Sequence, residues 1–320
     1  MAHRVFVTKR LYPQAIDYLT QHVEVDYHDS PVSPPPDELL MRSGLADGVV
    51  CQLTDSFSRE VIAALPGVKA LCNVAVGYDN IDVPAAAEHG VVVTNTPGVL
   101  TETTADFAFS LLMATARRVA EAERFLRAGE WGEWRIDLMC GQDIFGSTLG
   151  LVGMGRIGQA VARRARGFGM RVLYHDAFRA SEAVESELGV EFASLNDLLA
   201  QSDFVSVHVP LLDSTHGMMG AEQFGRMKPT AILINTSRGP VVDPEALAEA
   251  LIEGEIGGAG IDVFVHEPTP HPRLLRAPNA LLTPHIASAS VATRTEMCMM
   301  AARNVVAVLH GESPPNAVSA

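Results

Sequence analysis

Short apolar runs with the β-branched content of strands alternate, almost throughout this chain, with segments whose apolar residues recur at helical spacing. That alternation admits few folds. Each helix has to cross over between neighbouring strands, so the sheets are parallel and covered on both faces. RVFVT (4–8), VEVDYH (23–28), GVVCQ (48–52), KALCNV (69–74) and VVVTN (91–95) read as the strands of a first series. STLGLVGM (147–154), RVLYHD (171–176), FVSVHV (204–209), AILINT (231–236), GGAGIDV (257–263) and ALLTPH (280–285) form a second. A chain of 320 residues is larger than one core usually organises, so two series mean two domains. Between them, residues 101–129 run without proline or internal glycine and predict one long helix able to cross from one domain to the other. The last helical run, 288–311, carries an MCMM cluster suited to core filling.

Charge removes several classes of partner. With 38 acidic against 24 basic residues the formal charge is −14, which repels polyanions and argues against nucleic acid or an anionic membrane surface. No window approaches the ~18 uninterrupted apolar residues of a membrane span, and MAHRVFVTKR does not read as a leader, so a soluble, unprocessed, cytoplasmic protein is expected. Cys51, Cys72, Cys140 and Cys298 show neither a CxxC pair nor zinc-ligand spacing. They are expected to be free thiols, and no metal site is expected.

GMGRIG supplies Gly153, Gly155 and Gly158 between the apolar strand TLGLV and the helical run RIGQAVARRARGFG, and RVLYHD ends in Asp176, eighteen residues beyond Gly158. This is the dinucleotide fingerprint in its proper context. Gly153 permits the tight turn, Gly155 the approach of a pyrophosphate, and Gly158 the packing of helix on strand. Asp176 would accept the ribose hydroxyls of NAD and repel the 2′-phosphate of NADP, so NAD(H) is preferred. Arg179, three residues further on, keeps NADP(H) in play. Arg163, Arg164 and Arg166 read as a solvated helix face.

Three polar residues then stand where strands of the second series end. Arg238 follows AILINTS, and an arginine there offers a fork of donors to a carboxylate. His285, in TPHIA, suits proton transfer near neutrality. Glu267, in VHEP, can orient that imidazole, whereas His266 and His271 read as loop residues.

NVAVGYDNID (73–82), NTPGVLTETTAD (95–106), GLVGMGRIG (150–158), VHVPLLDSTHG (207–217), INTSRGPVVD (234–243), GGAGIDVFVHEP (257–268) and TPHIAS (283–288) together resemble the D-isomer-specific 2-hydroxyacid dehydrogenases over nearly the whole chain. The resemblance implies two doubly wound, Rossmann-like α/β domains with the active site in the cleft between them. Residues 1–98 and 289–320 would form a discontinuous substrate domain, and 99–288 the NAD-binding domain with a dimerisation arm. It implies that Arg238 binds the substrate, that His285 is the acid/base and that Glu267 partners it, with backbone N–H groups of Val76 and Gly77 on the carboxylate's other side. Cofactor contacts are implied for Thr104, Arg156, Ile157, Asp176, Val209, Pro210, Thr215, Thr236, Ser237, Arg238, Asp262, His285 and Ala287, beside the glycines. The long helix and arm around residues 100–145 look like the family's dimerisation element, which implies a homodimer. Within the family GEWGEW, RRARGFGMRVLYH and NVAVGYDNID are most similar to glyoxylate/hydroxypyruvate reductases, which implies a substrate pocket shaped by Trp134 of the neighbouring copy. The implied reactions are glyoxylate to glycolate and hydroxypyruvate to D-glycerate. Rival expectations are a dehydrogenase for a bulkier acid such as 2-ketogluconate, and a non-enzymatic NAD-sensing interaction protein.

Overall fold

The computed structural model describes residues 3–319. Its chain forms two compact units, one from residues up to 100 together with those from 288 onward, the other from 101–287. In the first unit β1 (Arg4–Val7), β2 (Glu24–Tyr27), β3 (Gly48–Cys51), β4 (Ala70–Asn73) and β5 (Val92–Thr94) alternate with α1 (Pro13–His22), α2 (Pro36–Gly44), α3 (Arg59–Ala63) and α4 (Val83–Glu88). The local chemistry sets several boundaries. Proline opens α1 and α2, Ser58 Oγ accepts from Val61 N at the start of α3, and an Asp82 oxygen accepts from Ala85 N at the start of α4. The strands pair in the order β2-β1-β3-β4-β5, all parallel, so the winding direction reverses between β1 and β3.

The second unit begins with α5 (Thr101–Ala116) and α6 (Val119–Arg127). The single helix expected across 101–129 is therefore two. Arg118 adopts a left-handed φ of 53°, and its guanidinium donates to both carboxylate oxygens of Glu121 at 2.8 and 2.7 Å. The chain also returns close to the break, since a Cβ on Gly141 would stand 2.2 Å from the Ala116 carbonyl oxygen. Half of α5 is buried whereas no residue of α6 is, so the two helices serve different surfaces.

There follow β6 (Thr148–Val152), α7 (Arg156–Gly167), β7 (Arg171–His175), α8 (Glu182–Leu188), β8 (Val190–Phe192), α9 (Leu195–Gln201), β9 (Phe204–Val207), α10 (Ala221–Phe224), β10 (Ile232–Asn235), α11 (Pro244–Ile252), β11 (Gly258–Ile261) and β12 (Ala280–Leu282). These seven strands are all parallel in the order β12-β11-β10-β9-β6-β7-β8. Winding reverses between β6 and β9, whose carboxyl ends lie side by side; such a reversal is where open α/β sheets bind ligands. Helices α5 and α7 cover one face with Leu112, Leu149, Leu151, Val161, Tyr174 and Phe204 at their contact. Leu198, Phe224, Leu233 and Leu247 are among the residues filling the other. Arg163 and Arg166 lie exposed on the helix face as expected, while Arg164 is half-buried; Arg163 donates to Glu102 at 2.7 Å and Arg164 to Asp106 at 2.7 Å, tying α7 to α5.

The chain then completes the first unit with α12 (Val291–Leu309), which packs on α1 and β3. Only glycine allows that approach at Gly48, where a Cβ would stand 2.7 Å from Val305 Cγ2. The MCMM cluster divides, Met297 and Cys298 being buried and Met299 and Met300 partly so. Cys51, Cys72 and Cys298 are buried free thiols, Cys140 is exposed, and burial pushes Cys72 up to about 12.

Candidate active site

The turn between β6 and α7 is shaped by what its glycines lack. Gly153 has φ +104°, and a Cβ there would press on His208 C at 2.7 Å, the residue that follows β9. Gly158 lies so close to the same turn that a Cβ would stand 2.2 Å from the Gly153 oxygen. At Gly155, the N-cap of α7, an added Cβ meets nothing within 4 Å. The first N–H groups of a helix have no partner within it and carry partial positive charge, so open space here suits a phosphate. Arg156 and Ile157 are the first residues of that helix. At the end of β7 the Asp176 carboxylate accepts from Met154 N at 2.7 Å and from Phe178 N at 3.3 Å, which fastens the glycine turn to the neighbouring strand end.

Two turns after β9 and β10 extend the same rim. Val209, Pro210 and Thr215 share a loop that closes on itself, Thr215 Oγ1 donating to Pro210 O at 2.6 Å and accepting from Leu212 N at 2.9 Å. Thr236, which follows β10, has a buried hydroxyl with no hydrogen-bond partner among the described residues. A buried donor without a partner is costly, so a ligand atom is a natural complement. The glycine turn, the Asp176 carboxylate and this hydroxyl together fit a dinucleotide.

Arg238 is displayed by the next residues. Buried Asn235 accepts from Ser237 N at 3.0 Å and Ser237 Oγ at 2.8 Å, and its amide donates to Arg238 O at 3.0 Å. Gly239 follows because nothing larger fits: a Cβ would stand 2.0 Å from Phe264 C. That contact sets the Arg238 turn against the loop after β11, the loop that carries Glu267.

Glu267 has both oxygens engaged, Oε1 by Phe264 N at 3.0 Å and Oε2 by His285 Nδ1 at 2.8 Å. Burial pushes the Glu267 carboxyl up, but the His285 bond and charge, the Phe264 N–H and the Arg238 charge outweigh it and hold the group below the usual glutamate range. His285 itself has a left-handed φ of 53°, a conformation that a non-glycine residue keeps only when its surroundings impose it. Asp262 imposes it here. Its backbone oxygen accepts from His285 N at 2.8 Å, and its fully buried carboxylate accepts from Thr283 Oγ1 at 2.6 Å, Ile286 N at 2.9 Å and Ala287 N at 2.8 Å. Family resemblance alone assigns Asp262 and Ala287 to the cofactor. Their grip on the histidine turn is a tertiary effect with no local sequence signal beyond an acid following a buried strand.

The structure thus brings Arg238, Glu267 and His285 to adjacent strand ends of one sheet. Thr104 is buried on α5 of the same unit. Val76 and Gly77 belong to the first unit, in the turn after β4, where Asn95 Nδ2 donates to Val76 O at 2.7 Å and Asn73 Nδ2 to Gly77 O at 2.9 Å. Trp134 lies in the segment after α6 with 73% of its surface exposed. His266 and His271 are in the loop after β11, where His271 Nε2 pairs with Glu245 at 3.0 Å. Among the described residues there is no cluster of metal-ligating side chains, and no helix is long and apolar enough to cross a membrane.

Residues 109–287 match the model of the D-isomer specific 2-hydroxyacid dehydrogenase NAD-binding domain. The chain is 53% identical over 321 residues to the glyoxylate reductase of Korarchaeum cryptofilum, covering 100% of this chain and 96% of that one. Among solved structures it resembles the TT0316 protein of Thermus thermophilus, with a TM-score of 0.92, 46% identity and coverage of 99% of this chain and 100% of that one. It also resembles a Sinorhizobium meliloti NADPH-dependent glyoxylate/hydroxypyruvate reductase solved with NADP and malonate, with a TM-score of 0.88, 34% identity and coverage of 100% and 97%. Two all-parallel sheets, a glycine turn at the reversal of one of them and a carboxylate-bound histidine at its rim are thus found in a chain that belongs to the D-isomer specific 2-hydroxyacid dehydrogenase family of oxidoreductases.

Proposed function

We propose that this chain reduces small 2-oxoacids, glyoxylate to glycolate and hydroxypyruvate to D-glycerate, with NADH. The observation that carries the reading is the 2.8 Å bond from His285 Nδ1 to Glu267, formed on the rim that also presents Arg238. A bound nicotinamide dinucleotide supplies the hydride. Arg238 takes the substrate's carboxylate and polarises its carbonyl, through paired charge-assisted bonds that also fix the plane of the acid. Glu267 accepts the Nδ1 proton of His285 and fixes the ring's orientation, so Nε2 is the atom that delivers a proton to the forming alkoxide. Val76 and Gly77 are assigned to the carboxylate as further backbone donors.

Preference for NADH rests on Asp176, a charge that suits ribose hydroxyls and opposes a 2′-phosphate. The coenzyme would further touch Thr104, Arg156, Ile157, Val209, Pro210, Thr215, Thr236, Ser237, Asp262 and Ala287. Exposed Leu126, Trp131, Trp134, Ile136 and Phe145 form an apolar arm suited to a homodimer, with Trp134 closing the partner's substrate pocket. Buried free thiols fit a reducing cytoplasm.

Steady-state kinetics with glyoxylate, hydroxypyruvate and 2-ketogluconate, each with NADH and NADPH, test the proposal. His285→Ala is expected to lower kcat by about 10²- to 10⁴-fold with little change in KM. Arg238→Ala is expected to raise KM and lower kcat together. Unchanged constants in both variants, or a wild-type preference for the bulkier acid, overturn the reading.

A further inference from the structure

We propose that Glu185 governs coenzyme choice from outside the ribose site, by keeping Arg179 paired so that its guanidinium is withheld from the 2′-phosphate of a phosphorylated dinucleotide. The inference deepens the proposed use of NADH and rests on it. Arg179 follows Asp176 on the loop after β7, three residues along, so their Cα atoms lie within about 11 Å whatever path the loop takes. An arginine in that place is what a 2′-phosphate would seek, because the guanidinium fork matches phosphate oxygens.

That fork is already engaged. Arg179 Nε and Nη2 donate to the two oxygens of Glu185 at 2.8 and 2.9 Å. Glu185 Oε1 also accepts from the Tyr174 hydroxyl at 2.5 Å, and the same hydroxyl accepts from Ala180 N at 2.9 Å. Tyr174 therefore joins strand β7, the far end of the loop and helix α8 at one oxygen. The Phe192 ring of β8 completes the setting, 5.7 Å from the Arg179 guanidinium carbon. The two partners differ in access: the Arg179 side chain is 62% exposed and that of Glu185 only 13%. Exposed ion pairs usually hold weakly, but a carboxylate bonded by two guanidinium nitrogens and a buried phenol is a preorganised acceptor. The Arg179 and Tyr174 bonds hold the Glu185 carboxyl down at about 2, so it stays charged across the physiological range.

Asp176 and Glu185 thus divide the work. Asp176 opposes the phosphate directly, while Glu185 removes the cation that would offset that opposition. Calorimetric titration of the full chain with 5′-AMP and with 2′,5′-ADP tests this, since the two probes differ by the 2′-phosphate alone and neither requires turnover. In an Asp176→Ser background, Glu185→Gln is expected to improve the affinity ratio of 2′,5′-ADP to 5′-AMP roughly tenfold, and Arg179→Ala is expected to cancel the gain. With Glu185 intact, Arg179→Ala in that background is expected to leave the ratio within about twofold, a result that does not depend on how Glu185 variants fold. A general loosening of the loop would weaken both probes alike and leave the ratio alone. The clamp is overturned if Glu185→Gln leaves the ratio unmoved, if its gain survives without Arg179, or if Arg179→Ala alone lowers the ratio. Equal wild-type affinity for the two probes points elsewhere: it overturns the Asp176 reading, and the clamp with it.

Discussion

The turns that follow β6 and β12 stand at the same edge of one sheet and are built by opposite means. After β6 the chain omits side chains: Gly153 takes a φ of +104°, and Gly158 lies where a Cβ would strike a carbonyl oxygen at 2.2 Å. After β12 the chain keeps a large side chain in a left-handed conformation, His285 at φ 53°, and holds it there with the buried carboxylate of Asp262. A turn that must let a ligand reach the backbone uses glycine. A turn that must display an imidazole needs a neighbour to impose the geometry, and that neighbour becomes as necessary as the imidazole.

The glycine turn should break first. Gly158→Ala places a methyl group against unyielding backbone and is expected to cost about 3 kcal/mol or more, read as a lowered urea midpoint by circular dichroism. Gly155→Ala, with nothing within 4 Å of its added methyl, should leave that midpoint nearly in place while weakening NADH binding. Equal losses of stability in the two variants would mean that the open space at Gly155 is not reserved for a ligand.

On the other side of the comparison, Asp262→Ala should leave the Ile286 and Ala287 N–H groups without their acceptor. A loss of about 2 kcal/mol is expected, with kcat falling by about 100-fold as the ring leaves its position. If instead only NADH affinity falls and kcat is kept, Asp262 acts on the coenzyme and does not hold the histidine turn.

Much of this architecture is legible in the sequence, and what is not has physical causes. Runs such as GVVCQ and AILINT announce buried parallel strands because both faces of each are covered, and the two series lie in two separate sheets. The strand Val190–Phe192 escapes such a reading: three residues at a sheet edge, with only Val190 buried, give no run to recognise. The break at Arg118 escapes it because neither proline nor glycine marks the place. It comes from the close return of Gly141 and the pairing of Arg118 with Glu121, contacts that no local window contains. At the site, Arg238, Glu267 and His285 could be singled out one by one from their place after strands. That Glu267 Oε2 meets Nδ1, and that Asp262 sets the backbone of the turn, are facts of tertiary packing.

The smallest expected effect concerns the carboxylate that joins the loops after β11 and β12. Glu267 titrates below its ordinary value in the folded chain, so the folded state prefers the charged form more strongly than the unfolded chain does. Its contribution to stability is therefore complete above the unfolded carboxyl value of about 4.3 and fades as pH falls through the lower folded value. Glu267→Gln should then be less stable than wild type near about pH 7, by under ~1 kcal/mol because the side chain is partly solvated, and the difference should close on acidification. Urea unfolding of both proteins at several pH values measures it. A difference that widened as the pH fell would mean that burial, rather than the His285 bond and the Arg238 charge, dominates this carboxylate. The histidine would then be held by the Asp262 turn alone, and the contrast with the glycine turn would reduce to backbone geometry on both sides.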